Sequence, residues 1–339
     1  MKAYTIGAQT GIDALTAVTL PMPEAGPGEV VLKVRLVCLG ARDVQIMEGR
    51  YGPKKPESRV PVSEGLGEVV ALGEGVTSIA LGARAICAHF TGWLDGAFTP
   101  RYFGVDYGIS HDGWLAQYIS LPADALVTVP DALSDEQAAA LSASALTAWH
   151  ALVEVGQIKA GDLVLALGTG GVAIWALQIA KAHGALVAIT SSSDEKLDLA
   201  RSLGADYTVN YRTHPDWEAE LLRQTGGRGA DIVAETGGQG TQGKSVSAAA
   251  PNGRIVFISV AGSDQAAPLN VGATIGKNLT LKGIASGSRA MLQRLVHATA
   301  ANNIQPVIDS RFGFEDARAA YAHLKAAGHV GKIMIRVAD

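Results

Sequence analysis

Residues 163–197 read LVLALGTGGVAIWALQIAKAHGALVAITSSSDEKL. The stretch opens on an unbroken apolar run, the length of a buried strand, and breaks at Gly168. A helical pattern follows, then a second apolar run over 185–190 that stops at Ser191, Ser192 and Ser193. Strand, glycine turn, helix and second strand make a βαβ unit, whose two strands must be parallel and joined by a right-handed crossover.

The same alternation continues downstream. YTVN (207–210), IVAET (232–236) and RIVFIS (254–259) read as further strands separated by helical segments, which predicts a doubly wound parallel sheet of the α/β class. Upstream the pattern differs. Residues 1–120 are β-rich, with runs such as EVVLKVRLVCL (29–39) and GEVVALGEGV (67–76) bounded by Pro/Gly turns. SDEQAAALSASALTAWHALVEV (134–155) opens with Ser134 and Gln137 in capping-box spacing and predicts a continuous helix. EDARAAYAHLKAAG (315–328) and GKIMIRV (331–337) predict a closing helix and strand. Residues 88–114 form a long irregular stretch dense in aromatic side chains, and loops of that length tend to be functional.

Composition narrows the class. At 339 residues, with 48% hydrophobic and 18% charged residues, the chain suits two globular domains. A net charge of −4 gives no general attraction to nucleic acid or to an anionic membrane. The opening MKAYTIGAQT has no apolar run of signal-peptide length, and no window reaches the roughly 18 uninterrupted apolar residues of a membrane span. Cys38 and Cys87 are the two cysteines, sparse usage that predicts a cytoplasmic protein.

Gly168, Gly170 and Ala173 form G-x-G-x-x-A between strand and helix. The first glycine allows the tight turn, the second lets the backbone approach a pyrophosphate, and the small third residue lets helix and strand pack closely. The N–H groups of Gly171 and Val172 are then placed to hold the phosphates of a dinucleotide. NAD-preferring sites put Asp or Glu at the end of the second strand; here that position is Ser191. Ser191 and Ser192 carry no charge to repel a 2′-phosphate, with Lys196 and Tyr211 nearby, so NADP(H) is the expected cofactor. The alternative is that the serines only cap the helix beginning at Asp194.

On these residues the whole chain resembles the medium-chain dehydrogenase/reductase superfamily, in its zinc-less quinone-oxidoreductase-like branch. The matching motifs run from PMPEAGPGEVVLKV through GEVVALGEGV, LTAWHAL, GTGGVA, SSSDEKL and NYR to VIDSRFGFEDARAAY and GKIMIRV. The resemblance implies a GroES-like substrate domain built from residues 1–125 and 288–339, with a Rossmann domain over 126–287 inserted between them. It implies that Lys196 and Tyr211 contact the 2′-phosphate of NADP. In zinc-dependent relatives three positions carry the metal ligands; here they correspond to Gly40, the Ser63-Glu64 pair and Ala143, so no zinc is expected. The resemblance also implies that Tyr51 faces the active site and that 278–286 is the edge strand of a homodimer.

Hydride transfer without a metal needs hydrogen-bond donors for the developing negative charge. An enolate spreads that charge and water can protonate it, whereas an alkoxide needs a positioned acid. The expected reaction is therefore NADPH-dependent reduction of an activated C=C bond in an enone or quinone. A zinc-independent alcohol dehydrogenase or carbonyl reductase is the alternative, and a non-catalytic, zeta-crystallin-like NADPH-binding protein the second. Tyr51 is the candidate donor, and Gly40, Trp93 and Ser286 are candidates for the substrate pocket. Arg42 and Asp43 are read as a structural pair.

Overall fold

The computed structural model describes residues 1–52, 58–259 and 269–338. In its N-terminal part the strands are β1 (Lys2–Ile6), β2 (Leu15–Thr19), β3 (Glu29–Leu39), β4 (Gly65–Leu72), β5 (Arg84–Cys87), β6 (Tyr118–Pro122) and β7 (Leu126–Thr128). There follow β8 (Leu163–Leu167), β9 (Leu186–Ser191), β10 (Tyr207–Asn210), β11 (Ala230–Glu235), β12 (Ala249–Phe257) and β13 (Thr280–Gly283). The chain closes with β14 (Ile308–Gly313) and β15 (Lys332–Arg336).

Two units result: Met1–Leu146 with Gly287–Asp339, and Thr147–Ser286. The first crossing lies at 146/147 instead of the expected 125/126, because β7 pairs with β5 and the helix Asp135–Ala139 packs on β3 and β4. The first unit is β-rich, with a sheet ordered β14-β15-β3-β4-β5-β7 and with β6 on β3. The chain's C-terminal strand β15 lies antiparallel to β3, Ile335 opposite Val37. The core here gathers Val30, Leu32, Leu39, Trp114, Tyr321, Ile333 and Ile335. At Gly65 a Cβ would stand 2.7 Å from the Trp114 ring, so only glycine lets this buried indole lie against β4.

The second unit carries six strands, ordered β10-β9-β8-β11-β12-β13 and all parallel. Starting from β8 as the first, this is the order 3-2-1-4-5-6 of dinucleotide-binding sheets. Every residue of β8 is buried, as expected of a central parallel strand covered on both faces.

One expected element is broken. Ser134 and Gln137 exchange both capping-box hydrogen bonds, and the helix Asp135–Ala139 starts where predicted. Residues 141–145 and 150–155 then widen into π-helical turns around a short α-helical piece, Leu146–Trp149. In the first of these turns the Ala143 N–H donates to the carboxylate of Glu64, in the loop just before β4, a diversion that π-turns accommodate.

Candidate active site and cofactor cradle

In the second unit, β8 ends at Leu167 and the helix Gly171–Ala182 begins directly after the glycine turn. Gly168 has φ +79°, a conformation that disfavours any side chain. Its N–H donates to Thr190 Oγ1 at 3.2 Å, fixing the turn against β9. A Cβ at Gly168 or Gly170 would meet nothing within 4 Å, so open space lies over the turn. No side chain caps the helix, which leaves the first N–H groups, those of Gly171 and Val172 among them, to an outside acceptor. Ala173 is buried beneath. This cradle fits a dinucleotide pyrophosphate, held by backbone N–H groups and the helix dipole.

Ser191 ends β9 and is buried, and its backbone oxygen accepts from the Tyr211 N–H at 3.0 Å. Ser193 caps the helix Asp194–Ser202 through the Lys196 N–H, so one of the three serines has the capping role. Tyr211 is exposed beside it. Thus Ser191, Ser192, Lys196 and Tyr211 share the C-terminal edge of β9 and β10. Ser286 lies at the far end of this unit; its hydroxyl receives Thr147 Oγ1 at 3.5 Å and its backbone oxygen receives His150 Nδ1 at 2.6 Å.

The first unit holds two buried charge clusters. In one, Lys332 of β15 donates to Glu64 Oε2 at 2.6 Å and to Ser144 Oγ at 3.2 Å. The Ala143 N–H donates to Glu64 Oε1 at 3.0 Å. Burial works against the Lys332 ammonium, but the Glu64 carboxylate outweighs it and holds its pKa above the ordinary lysine value. A Cβ on Gly40 would stand 3.8 Å from Lys332 Nζ. The cluster therefore occupies the three positions compared above with zinc ligands. Gly40 and Ala143 bring no ligand atom, Ser63 brings a hydroxyl, and both Glu64 oxygens are engaged. These residues do not fit a catalytic zinc, which needs three protein ligands.

The second cluster starts at the helix Ala41–Met47. Asp43 does not pair with Arg42 by hydrogen bond: its Oδ2 accepts from the Gly40 N–H at 2.8 Å and caps its own helix. Arg42 instead donates through Nη2 to Asp106 Oδ1 at 2.6 Å, and His89 Nδ1 reaches the same oxygen at 2.8 Å. Although burial opposes it, the Arg42 and His89 contacts hold the Asp106 carboxyl below its usual range. The carboxylate is thus ionised and the His89 ring nitrogen is the donor. Burial pushes His89 below the ordinary imidazole pKa, and Arg42 adds to this, so the ring is neutral. The Arg42 guanidinium lies 5.0 Å over the Tyr51 ring, a cation–π distance. Burial raises the Tyr51 phenol, which keeps its proton and remains a donor.

Trp93 is 1% exposed, with its Nε1 donating to Gly96 O at 2.9 Å and its ring against Phe98 and Tyr102. The aromatic stretch 88–114 thus builds a packed cluster of its own. Sequence reasoning passed over Lys332, His89 and Asp106. A lysine inside the apolar run KIMIR was a visible signal; the other two carry none until the chain folds.

A dinucleotide cradle in a six-stranded parallel sheet, together with a β-rich unit made from both chain ends, defines a two-domain dehydrogenase. Residues 26–131 match the family of alcohol dehydrogenase GroES-like domains, and residues 171–301 the family of zinc-binding dehydrogenases. A zinc-type alcohol dehydrogenase-like protein of Schizosaccharomyces pombe is 38% identical over 97% of this chain and 96% of its own. The acryloyl-coenzyme A reductase of Metallosphaera sedula is 29% identical over 92% and 93%. A solved NAD-dependent alcohol dehydrogenase superimposes with a TM-score of 0.89 at 32% identity, all of both chains covered. The chain belongs to the medium-chain dehydrogenase/reductase superfamily: it is an oxidoreductase of nicotinamide-dependent kind.

Proposed function

We propose that this protein is an NADPH-dependent reductase of activated C=C bonds, in an enone or quinone, that works without zinc. The observation that carries the reading is the closed Glu64–Lys332 pair, whose carboxylate oxygens are committed to the ammonium and the Ala143 N–H. With no Lewis acid to hold an alkoxide, reduction that ends in a delocalised enolate makes the smaller demand on the protein. A bound reduced nicotinamide would supply the hydride. The residues Gly168 to Val172 would hold the pyrophosphate, and Ser191, Ser192, Lys196 and Tyr211 the 2′-phosphate. Tyr51 would donate its O–H to the substrate oxygen, with Gly40, Trp93 and Ser286 shaping the space around the substrate.

A homodimer through β13 belongs to the same reading. This strand ends the sheet, and the helix before it exposes Val271 at 60% and Ile275 at 74%. An open strand edge beside two exposed apolar side chains is a surface that a second copy would cover.

The test is product analysis with an α,β-unsaturated aldehyde and NADPH in the presence of a chelator. A saturated aldehyde is the expected product. An allylic alcohol would instead establish the alcohol dehydrogenase or carbonyl reductase reading, and turnover of neither bond despite NADPH binding would support a non-catalytic protein.

A further inference from the structure

We propose that Glu235 is a positioning residue for the nicotinamide half of the cofactor: its buried carboxylate fixes the glycine-rich loop 236–241 as one wall of the dinucleotide crevice. This rests on the nucleotide-binding reading of the second unit and names the group that shapes the side opposite the Gly168 turn.

In an open parallel sheet the ligand crevice lies at the carboxyl ends of the strands, where the strand order reverses. In the order β10-β9-β8-β11-β12-β13 that point falls between β8 and β11. The half built on β8, β9 and β10 carries the glycine turn and the serines, and so takes the adenosine mononucleotide. The half built on β11, β12 and β13 then takes the nicotinamide mononucleotide. Ala234 is level with Ala166 in the paired strands, and Glu235 is the last residue of β11. The loop that follows, Thr236-Gly237-Gly238-Gln239-Gly240-Thr241, is therefore the counterpart of the glycine turn. Thr236 Oγ1 donates to Leu167 O at 2.7 Å, which ties this loop to the last residue before that turn.

Glu235 is 0% exposed, and a carboxylate is costly to bury unless hydrogen bonds replace its water. Three donors of the loop converge on its Oε1: the Gly237 N–H at 2.8 Å, the Gly238 N–H at 3.1 Å and Thr241 Oγ1 at 2.6 Å. Ser245 Oγ, on the helix Gln242–Ala248, donates to Oε2. The main-chain oxygen of Glu235 accepts from the Ile258 N–H at 2.9 Å, just past the end of β12. One residue thus gathers the loop, the helix after it and the neighbouring strand end.

The loop needs such a hold. Three of its six residues are glycine, which lets a backbone come close to a ligand but leaves it many conformations to lose. Gly238 has φ +80°, and a Cβ on Gly237 would collide with Thr241 Oγ1, so the wrap around the carboxylate disfavours a side chain at both places. Gly237 and Gln239 are exposed, so the loop is held from beneath and open on its outer side. A wall fixed before the ligand arrives binds it without the entropy loss of ordering six residues.

The test is calorimetric titration of the full chain with two probes. NADP⁺ spans both halves, whereas adenosine 2′,5′-bisphosphate is the adenosine half alone. Glu235→Leu removes every side-chain acceptor, and Thr241→Val removes one donor while keeping the carboxylate. The NADP⁺ dissociation constant should rise about tenfold or more in Glu235→Leu, and less in Thr241→Val. The constant for adenosine 2′,5′-bisphosphate should stay within about twofold of wild type in both. Glu235→Gln should regain most of the NADP⁺ affinity, because its amide oxygen can face the same three donors while its NH₂ group donates to Ser245. Unchanged NADP⁺ affinity in Glu235→Leu would overturn the inference. So would equal losses for both probes, which assign Glu235 to the stability of the whole unit. Should Glu235→Leu fail to fold, the same contrast between probes in Thr241→Val decides: a loss for NADP⁺ alone supports the inference, and no loss or an equal loss ends it. If the wild type prefers NAD⁺, the NADPH reading falls, and the comparison made with NAD⁺ and adenosine 5′-monophosphate decides the role of Glu235. A wild type that bound neither dinucleotide would end both.

Discussion

Lys332 keeps its ammonium inside the first unit by donating to two buried oxygens, Glu64 Oε2 at 2.6 Å and Ser144 Oγ at 3.2 Å. Each side chain of the ion pair is only 2% exposed, so neither charge has water as an alternative partner. Removing one member of such a pair leaves the other buried and uncompensated, which typically destabilises by about 3–5 kcal/mol. Lys332→Met should therefore lower the denaturant midpoint of the first unit markedly. The double change Glu64→Leu with Lys332→Met should recover much of that loss, since two apolar groups of similar volume replace two charges. A single variant as stable as wild type would refute the pair's structural role. These residues stand 268 positions apart, and no local pattern joins them. The same holds for Arg42 and Asp106, 64 positions apart: from sequence the guanidinium was matched with its chain neighbour Asp43, whose carboxylate was already committed to capping.

Local elements were far more legible. β8 and β10 occupy the predicted residues, because an apolar run between turn residues leaves few other conformations that bury it. The glycine turn followed from spacing alone, and Gly168 does adopt the positive φ the motif requires. The helix over 134–155 was not fully legible, since its widened turns depend on contacts such as that between the Ala143 N–H and Glu64. Cofactor choice belongs to the end of β9. Ser191→Asp should place a carboxylate where a 2′-phosphate would lie and where ribose hydroxyls would otherwise bind. NADPH affinity is expected to fall about tenfold or more and NADH affinity to rise, read by fluorescence titration of each cofactor. Equal affinities for NADPH before and after the change would remove Ser191 from the cofactor site.

At the scale of the molecule, two observations arise from how distant segments meet. The last strand, β15, joins the sheet begun by β3, so the first unit cannot be completed until the whole chain is made. The second sheet ends at β13, where Val271 and Ile275 lie exposed on the preceding helix. Sedimentation should give a mass near twice the chain's 35.0 kDa, and Ile275→Lys should shift it toward the monomer. A wild-type monomer at micromolar concentration would end the dimer proposal.

By itself the sequence determined what short-range physics can encode: which runs bury as strands, where glycine must turn the chain, that a dinucleotide cradle follows β8, and which ligand-bearing residue types are missing at Gly40, Ser63 and Ala143. Only the tertiary structure decided how charges inside the first unit are matched. Pairing Lys332 with Glu64, and Arg42 with Asp106 and His89, requires segments remote in the chain to be desolvated together. A charge's partner is fixed by which groups share its low-dielectric surroundings, and that is a property of the folded chain rather than of residue order.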